Sequence, residues 1–287
     1  MAYKHLTQRQ IATATYPYCK CTLDYTLDSL QRIGVRAFEL QAVEPVLSLE
    51  DVRPADMIAV AKKIRNHGLQ AICVTPDVMN YPINLASPNA ATRRRSIAFI
   101  KKAIDCANAF ESPLIQMHVG YPTVDGNRKE AWGRSVESMR ELAEYAASKG
   151  VVVTSEYSKL TWKSILQSSA DLRKLIDEVN HPGFEGMSDT VVMVKIPETI
   201  DDVARNLGVE HLRHFHFTDG LGNATSSLHM VPGEGKLDLV HVLDVLDEMN
   251  YTGYLSLELQ GCETYPHDAM VKAVAWMREH LPEGERK

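Results

Sequence analysis

Short runs rich in β-branched and aromatic residues alternate along this chain with longer segments whose apolar positions recur every three to four residues. IATATYP (11–17) precedes TLDYTLDSLQRIG (22–34), and AFELQ (37–41) precedes PADMIAVAKKIRNHG (54–68). LQAICVTP (69–76) precedes a helical pattern over 87–110, and PLIQMHVG (113–120) precedes one over 131–148. VVVTSEY (151–157) is followed by SADLRKLIDEVN (169–180), and FEGMSD (184–189) by PETIDDVARNLG (197–208). HLRHFHFTD (211–219) leads to KLDLVHVLDVLDEMN (236–250), and YLSLELQ (254–260) to a helix over 266–281. Gly34, Gly68, Gly150, Gly208 and Gly253 stand where helix C-caps belong. Strands that alternate with helices predict a parallel sheet with right-handed crossovers. Eight such units predict an α/β fold, a closed (β/α)₈ TIM barrel.

Composition agrees with one domain over 1–287. The 287 residues are 45% apolar, enough for a large core, and no linker or low-complexity segment interrupts them. The net charge of −6 speaks against nucleic acid as a partner. Arg93, Arg94 and Arg95 form the densest basic run, and they fall inside a helical pattern as a solvated face. No apolar run reaches the roughly 18 residues of a membrane helix, and MAYKHLTQRQ lacks a signal core. The expectation is a soluble, cytoplasmic protein with no membrane partner. Cys19, Cys21, Cys73, Cys106 and Cys262 are an odd, scattered set that reads as reduced structural thiols.

Four of the predicted strands end in a strong metal ligand: Glu156, Asp189, His216 and Glu258. A single such residue is more often a surface carboxylate or a hydrogen-bonded core imidazole. In a barrel, however, functional groups gather at the C-terminal ends of the strands, and side chains alternate along each strand. Ser256, Glu258 and Gln260 share one face, with Leu255, Leu257 and Leu259 on the other; His214 and His216 also point together. All four candidates thus fall inward at one rim. Three carboxylates and one imidazole suit Mn²⁺, or Mg²⁺ or Co²⁺, at one ion per chain. An ion there can stabilise charge developing on a substrate oxygen.

The ordered set TSEY (154–157), MSDT (187–190), HFHFTD (214–219), PGEGKLDL (232–239) and LSLEL (255–259) resembles the xylose-isomerase-like sugar isomerases and epimerases. Within them the chain is most similar to the ketose 3-epimerases, those for fructoselysine and for tagatose and psicose. TPDVMNYPINL (75–85) and MHVGY (117–121) look most like the fructoselysine branch. The spacings of 33 residues from Glu156 to Asp189 and 27 from Asp189 to His216 also suit the family. The resemblance implies a barrel, a sugar substrate, a homo-oligomer, and one Mn²⁺-type ion on Glu156, Asp189, His216 and Glu258. It further implies that Glu156 and Glu258 exchange protons with a metal-stabilised cis-enediolate, one on each face of the substrate. Inversion at one carbon gives a 3-epimerase, whereas shuttling between adjacent carbons gives an aldose–ketose isomerase.

Further candidates line the same rim. His118, Trp162, Tyr16, Glu39 and His229 are candidate substrate contacts, and Tyr18 is a second aromatic at the end of the first strand. His214 is a candidate support for His216, and Asp219 for the loop that follows. Three positions depart from the free-ketohexose pattern: Trp162 replaces a Glu, Val192 a His and Gly222 an Arg. A less polar wall points to a larger substrate, a glycated amine or a 3-oxo-glycoside, from which such a barrel can also eliminate an aglycone. Two other readings are an abasic-site endonuclease, which needs more ligands and a basic rim, and a partner-dependent subunit, which would be expected to lose ligands.

Overall fold

The computed structural model describes residues 3–78, 81–158, 164–222 and 228–284. Its strands are β1 (Ile11–Ala14), β2 (Ala37–Ala42), β3 (Gln70–Pro76), β4 (Leu114–Met117), β5 (Val152–Ser155), β6 (Phe184–Asp189), β7 (Leu212–His216) and β8 (Leu255–Leu257). All pairings are parallel, and β8 returns to β1, so the sheet closes as the eight repeats predict. The surrounding helices are α1 (Leu23–Ile33), α2 (Pro54–Asn66), α3 (Ala90–Ala109), α4 (Arg128–Ser148), α5 (Ser169–Val179), α6 (Thr190–Lys195), α7 (Ile200–His211), α8 (Leu239–Glu248) and α9 (Pro266–His280).

Local chemistry sets the helix ends. Thr22 accepts a hydrogen bond from the Tyr25 N–H at the start of α1, and Gly34 ends it in the left-handed region at φ 75°. Asn89, Asn127 and Ser168 cap α3, α4 and α5 in the same way. One helix departs from the sequence reading: α6 follows Asp189 directly, although TVVMVK is too rich in β-branched residues to look helical. No helix among the described residues is long and apolar enough to cross a membrane.

The barrel has a dry outside and a polar inside. Val153, Phe215, Leu255 and Leu257 are fully buried against the helices. On the inward phase, Ala12, Ala37 and Cys73 form a small cluster with Leu114 and Tyr254 that fills the lower barrel. Above it the inward positions turn polar, with Thr154, Ser256, Glu39 and His214 all buried. Register sets these layers. Asp189 pairs with His216 and His216 with Ser256, which brings the ends of β6, β7 and β8 to one height. A bulge shifts the β6–β7 register between Gly186 and Met187, leaving Arg213 as the extra residue, and places Asp189 beside His216.

Candidate metal centre and cavity

Each of the four candidate ligands leaves the barrel wall at the same rim. Asp189 and His216 are the last residues of β6 and β7, while Glu156 and Glu258 stand one residue beyond β5 and β8. His216 Nδ1 lies 3.5 Å from Asp189 Oδ2 and 3.5 Å from Glu258 Oε2. Ligand atoms of Glu156, Asp189 and His216 all fall within 4.8 Å of one another. Donors at right angles around one ion, each about 2.1 Å from it, sit about 3 Å apart, so the cluster is close to coordination size.

Two atoms test whether an ion fits. Asp189 Oδ2 and His216 Nδ1 are buried and have no hydrogen-bond partner among the described residues. Such groups cost free energy unless something compensates them, and here they face each other. Asp189 is oriented by α6: its Oδ1 accepts from the Val191 and Val192 N–H groups at 2.6 and 3.0 Å, which leaves Oδ2 to the site. His216 is oriented from below. Its Nε2–H donates to Glu39 Oε2 at 3.0 Å, so the Nδ1 lone pair points up at the carboxylates. A carboxylate behind a histidine ligand holds the tautomer and raises the ring's basicity. The residues present therefore fit a hard divalent cation.

The electrostatics point the same way. Burial, followed by the neighbouring Asp189 carboxylate, pushes Glu156 well above the usual carboxylate range. Burial opposes ionisation of Glu258 too, but the neighbouring His216 imidazole and the close contact from His229 hold it low. Against the effect of burial, Asp189 and Glu258 raise His229 to about 9. Carboxylates dominate this rim, and its field attracts a cation.

The structure brings some candidates into the site and removes others. His118 and Tyr16 line a cavity of about 190 Å³ over Glu156 and Glu258. His118 Nε2 lies 3.9 Å from Glu156 Oε2. His229 is more deeply engaged than a rim contact. It is 6% exposed, and its Nδ1 lies 2.9 Å from Glu258 Oε2 and 3.8 Å from Asp189 Oδ2.

Glu39 is a correction. It is 1% exposed and lies below the cavity, where it accepts from His214 and His216 and from Ser256 Oγ at 2.9 Å and Thr75 Oγ1 at 2.5 Å. It is not among the residues that line the cavity. Tyr18 is likewise fully buried, bonded to Ser29 Oγ at 2.8 Å, and does not reach the cavity. His214 stands beneath His216 with its Nε2 2.7 Å from Glu39 Oε2. Asp219 accepts from the Gly220, Gly233, Gly235 and Leu237 N–H groups and so shapes the loop toward α8 rather than the cavity. Trp162 lies outside the described residues.

Sequence reasoning missed Asp77, Gln41 and Lys195 in the cavity wall. Gln41 had a readable signal, since it shares the inward phase of β2 with Glu39. Lys195 had none, because its helix was not foreseen.

Known proteins share this architecture. The chain is 26% identical over 270 residues to a fructoselysine 3-epimerase of Shigella flexneri, covering 92% of this chain and 95% of that one. It is 24% identical over 241 residues to a D-psicose 3-epimerase of Ruminiclostridium cellulolyticum, covering 82% and 77%. The structure of a D-psicose 3-epimerase in the presence of D-fructose superposes with a TM-score of 0.80 at 18% identity, over 96% of this chain and all of that one. The sequence model of the xylose isomerase-like TIM barrel matches residues 27–280, and the chain belongs to that family.

Proposed function

We propose that the protein is a divalent-metal-dependent epimerase of ketoses or ketose derivatives, inverting a carbon next to a carbonyl. One observation carries the reading: Asp189 Oδ2 and His216 Nδ1, buried and without a hydrogen-bond partner among the described residues, converge with Glu156 and Glu258 at the mouth of the barrel. Relatives that are sugar 3-epimerases over most of the chain's length support it.

Glu156, Asp189, His216 and Glu258 would hold the ion, with Mn²⁺, Mg²⁺ or Co²⁺ as the candidates. When bound, it supplies Lewis-acid stabilisation of negative charge on neighbouring sugar oxygens. The proton work falls to Glu156 and Glu258, which enter the cavity from β5 and β8. One carboxylate takes the proton from the carbon, and the C–H electron pair moves into the adjacent carbonyl. The other, protonated, returns a proton to the opposite face, and both carboxyls re-equilibrate with water. Two acid–base groups on different walls favour inversion over proton return from the same side. His118 and Tyr16 contact the sugar, and His229 holds the Glu258 carboxylate in place.

The test is a screen of ketoses and glycated amino acids with Mn²⁺ in D₂O. Deuterium at the inverted carbon, with one metal ion per chain, is the expected result. Exchange at neither C3 nor C1 in any of them would sink the reading.

A further inference from the structure

Lys195 is the last residue of α6, the short helix capped by Asp189, and it lines the cavity with Tyr16, Asp77, His118, Glu156 and Glu258. It is the one lysine or arginine among the described residues of that lining. No carboxylate among the described residues lies within 4.0 Å of its ammonium. A lysine at a helix C-terminus ordinarily extends into water and complements the helix dipole. This one is half-buried beside Val191 and Val192, which also line the cavity. Desolvation lowers its pKa, while Asp189 and Glu156 act in the opposite direction. The wall formed by α6 therefore offers two apolar side chains and one incompletely compensated cation. A neutral sugar gains little from that combination, whereas an anionic group gains a charge-assisted hydrogen bond.

Resting on the epimerase reading, we infer that Lys195 is an anion-recognition residue, and that the substrate is a ketose derivative bearing a carboxylate or phosphate that docks on it. The position of that group follows from the other charges. The reacting carbons must lie between Glu156 and Glu258, where a second anion is repelled. The anionic group must therefore sit on the part of the molecule remote from those carbons.

The experiment is calorimetric binding, with Mn²⁺ present, to the whole protein and to Lys195→Met, which keeps length and removes charge. The ligands are D-fructose, D-fructose 6-phosphate, a 1-amino-1-deoxyfructose bearing an amino-acid carboxylate, and the same compound without that carboxylate. The expected result is that at least one anionic ligand binds roughly 10- to 100-fold tighter than its uncharged counterpart, the usual range for a hydrogen bond to a charged group. Lys195→Met should abolish that advantage, costing the anionic ligand far more affinity than it costs fructose, and Lys195→Arg should restore part of it. The anionic ligand that shows the advantage distinguishes phosphate from carboxylate. Equal binding of charged and uncharged ligands by the unaltered protein overturns the inference, as does an equal loss for both in Lys195→Met. Deuterium exchange on the same ligands tests the epimerase reading separately. Exchange without charge preference sinks only the role of Lys195, and charge-dependent binding without exchange sinks only the epimerase.

Discussion

Replacing Glu39 by Gln removes one charge from beneath the proposed metal centre and almost no volume. Glu39 Oε2 accepts from three donors, His214 Nε2, His216 Nε2 and Ser256 Oγ, and Oε1 accepts from Thr75 Oγ1. Gln can keep its oxygen toward the first three and turn its amide to Thr75, whose hydroxyl also accepts. The fold should therefore survive, with a melting temperature within a few degrees of the unaltered protein. What changes is the bond to His216. A hydrogen bond to a charged group contributes about 1.5–3 kcal/mol and a neutral one about 0.5–1.5 kcal/mol. Removing the charge takes about 1–1.5 kcal/mol from what holds His216 as a basic, correctly oriented ligand. That corresponds to a roughly tenfold weaker metal dissociation constant, at the lower edge of the 10- to 100-fold range for such outer partners.

Mn²⁺ titration of chelator-stripped protein by calorimetry measures this directly, without turnover. Ala at the same position is uninformative, because it strands four buried donors at about 1–3 kcal/mol each, comparable to a whole domain's stability of about 5–15 kcal/mol. An unchanged Mn²⁺ dissociation constant in Glu39→Gln would refute the reasoning, whatever the melting temperature does. A large drop in melting temperature with unchanged affinity would make Glu39 a purely structural group.

Glu156→Gln and Glu258→Gln should each abolish turnover, by at least about two orders of magnitude, while circular dichroism stays unchanged; substantial activity in either variant would place the proton chemistry elsewhere. Asp189→Asn keeps an oxygen to cap α6 but removes a negative ligand, so excess Mn²⁺ should restore part of the rate. If activity stays absent with the metal bound, Asp189 has a direct chemical role. Asp219→Ala strands four backbone N–H groups of the loop that carries His229, some of them able to turn to water, and should cost about 2–4 kcal/mol. Thermal unfolding reads this as a drop of several degrees, and an unchanged melting temperature would show that the loop holds itself.

The legibility of these parts followed the kind of backbone each stands on. Eight strand–helix units could be read because apolar periodicity and turn residues are local properties. The convergence of the four candidate ligands could be read because alternation along a strand fixes which way Glu258 or His216 points whatever the neighbours are. Depth along the barrel axis could not. Glu39 was correctly turned inward, yet whether it reaches a sugar or lies under one depends on its register. Ala14 and Cys73 stand beside it, with an irregularity in the β2–β3 pairing between Phe38 and Glu39. That is a tertiary quantity with no signature in AFELQ. The segment TVVMVK was opaque for the opposite reason. Its composition favours a strand, and it becomes helical because Asp189 supplies the cap.

That cap links the two halves of the site. One oxygen of Asp189 starts α6 while the other faces the cation position, so the ligand and the helix that carries Val191, Val192 and Lys195 move as one piece. A change in the wall three to six residues after the ligand leaves the donor set in place, because the strands hold it. Removing the Asp189 side-chain oxygens altogether would unseat the wall, because its helix loses the N-cap. On the proposed function, changes at Val192 or Lys195 would thus retune which sugar enters and leave the proton chemistry in place. The same asymmetry explains why the reaction class reads more readily from this chain than the substrate does: the strands carry the first, and a short capped helix and loops carry the second.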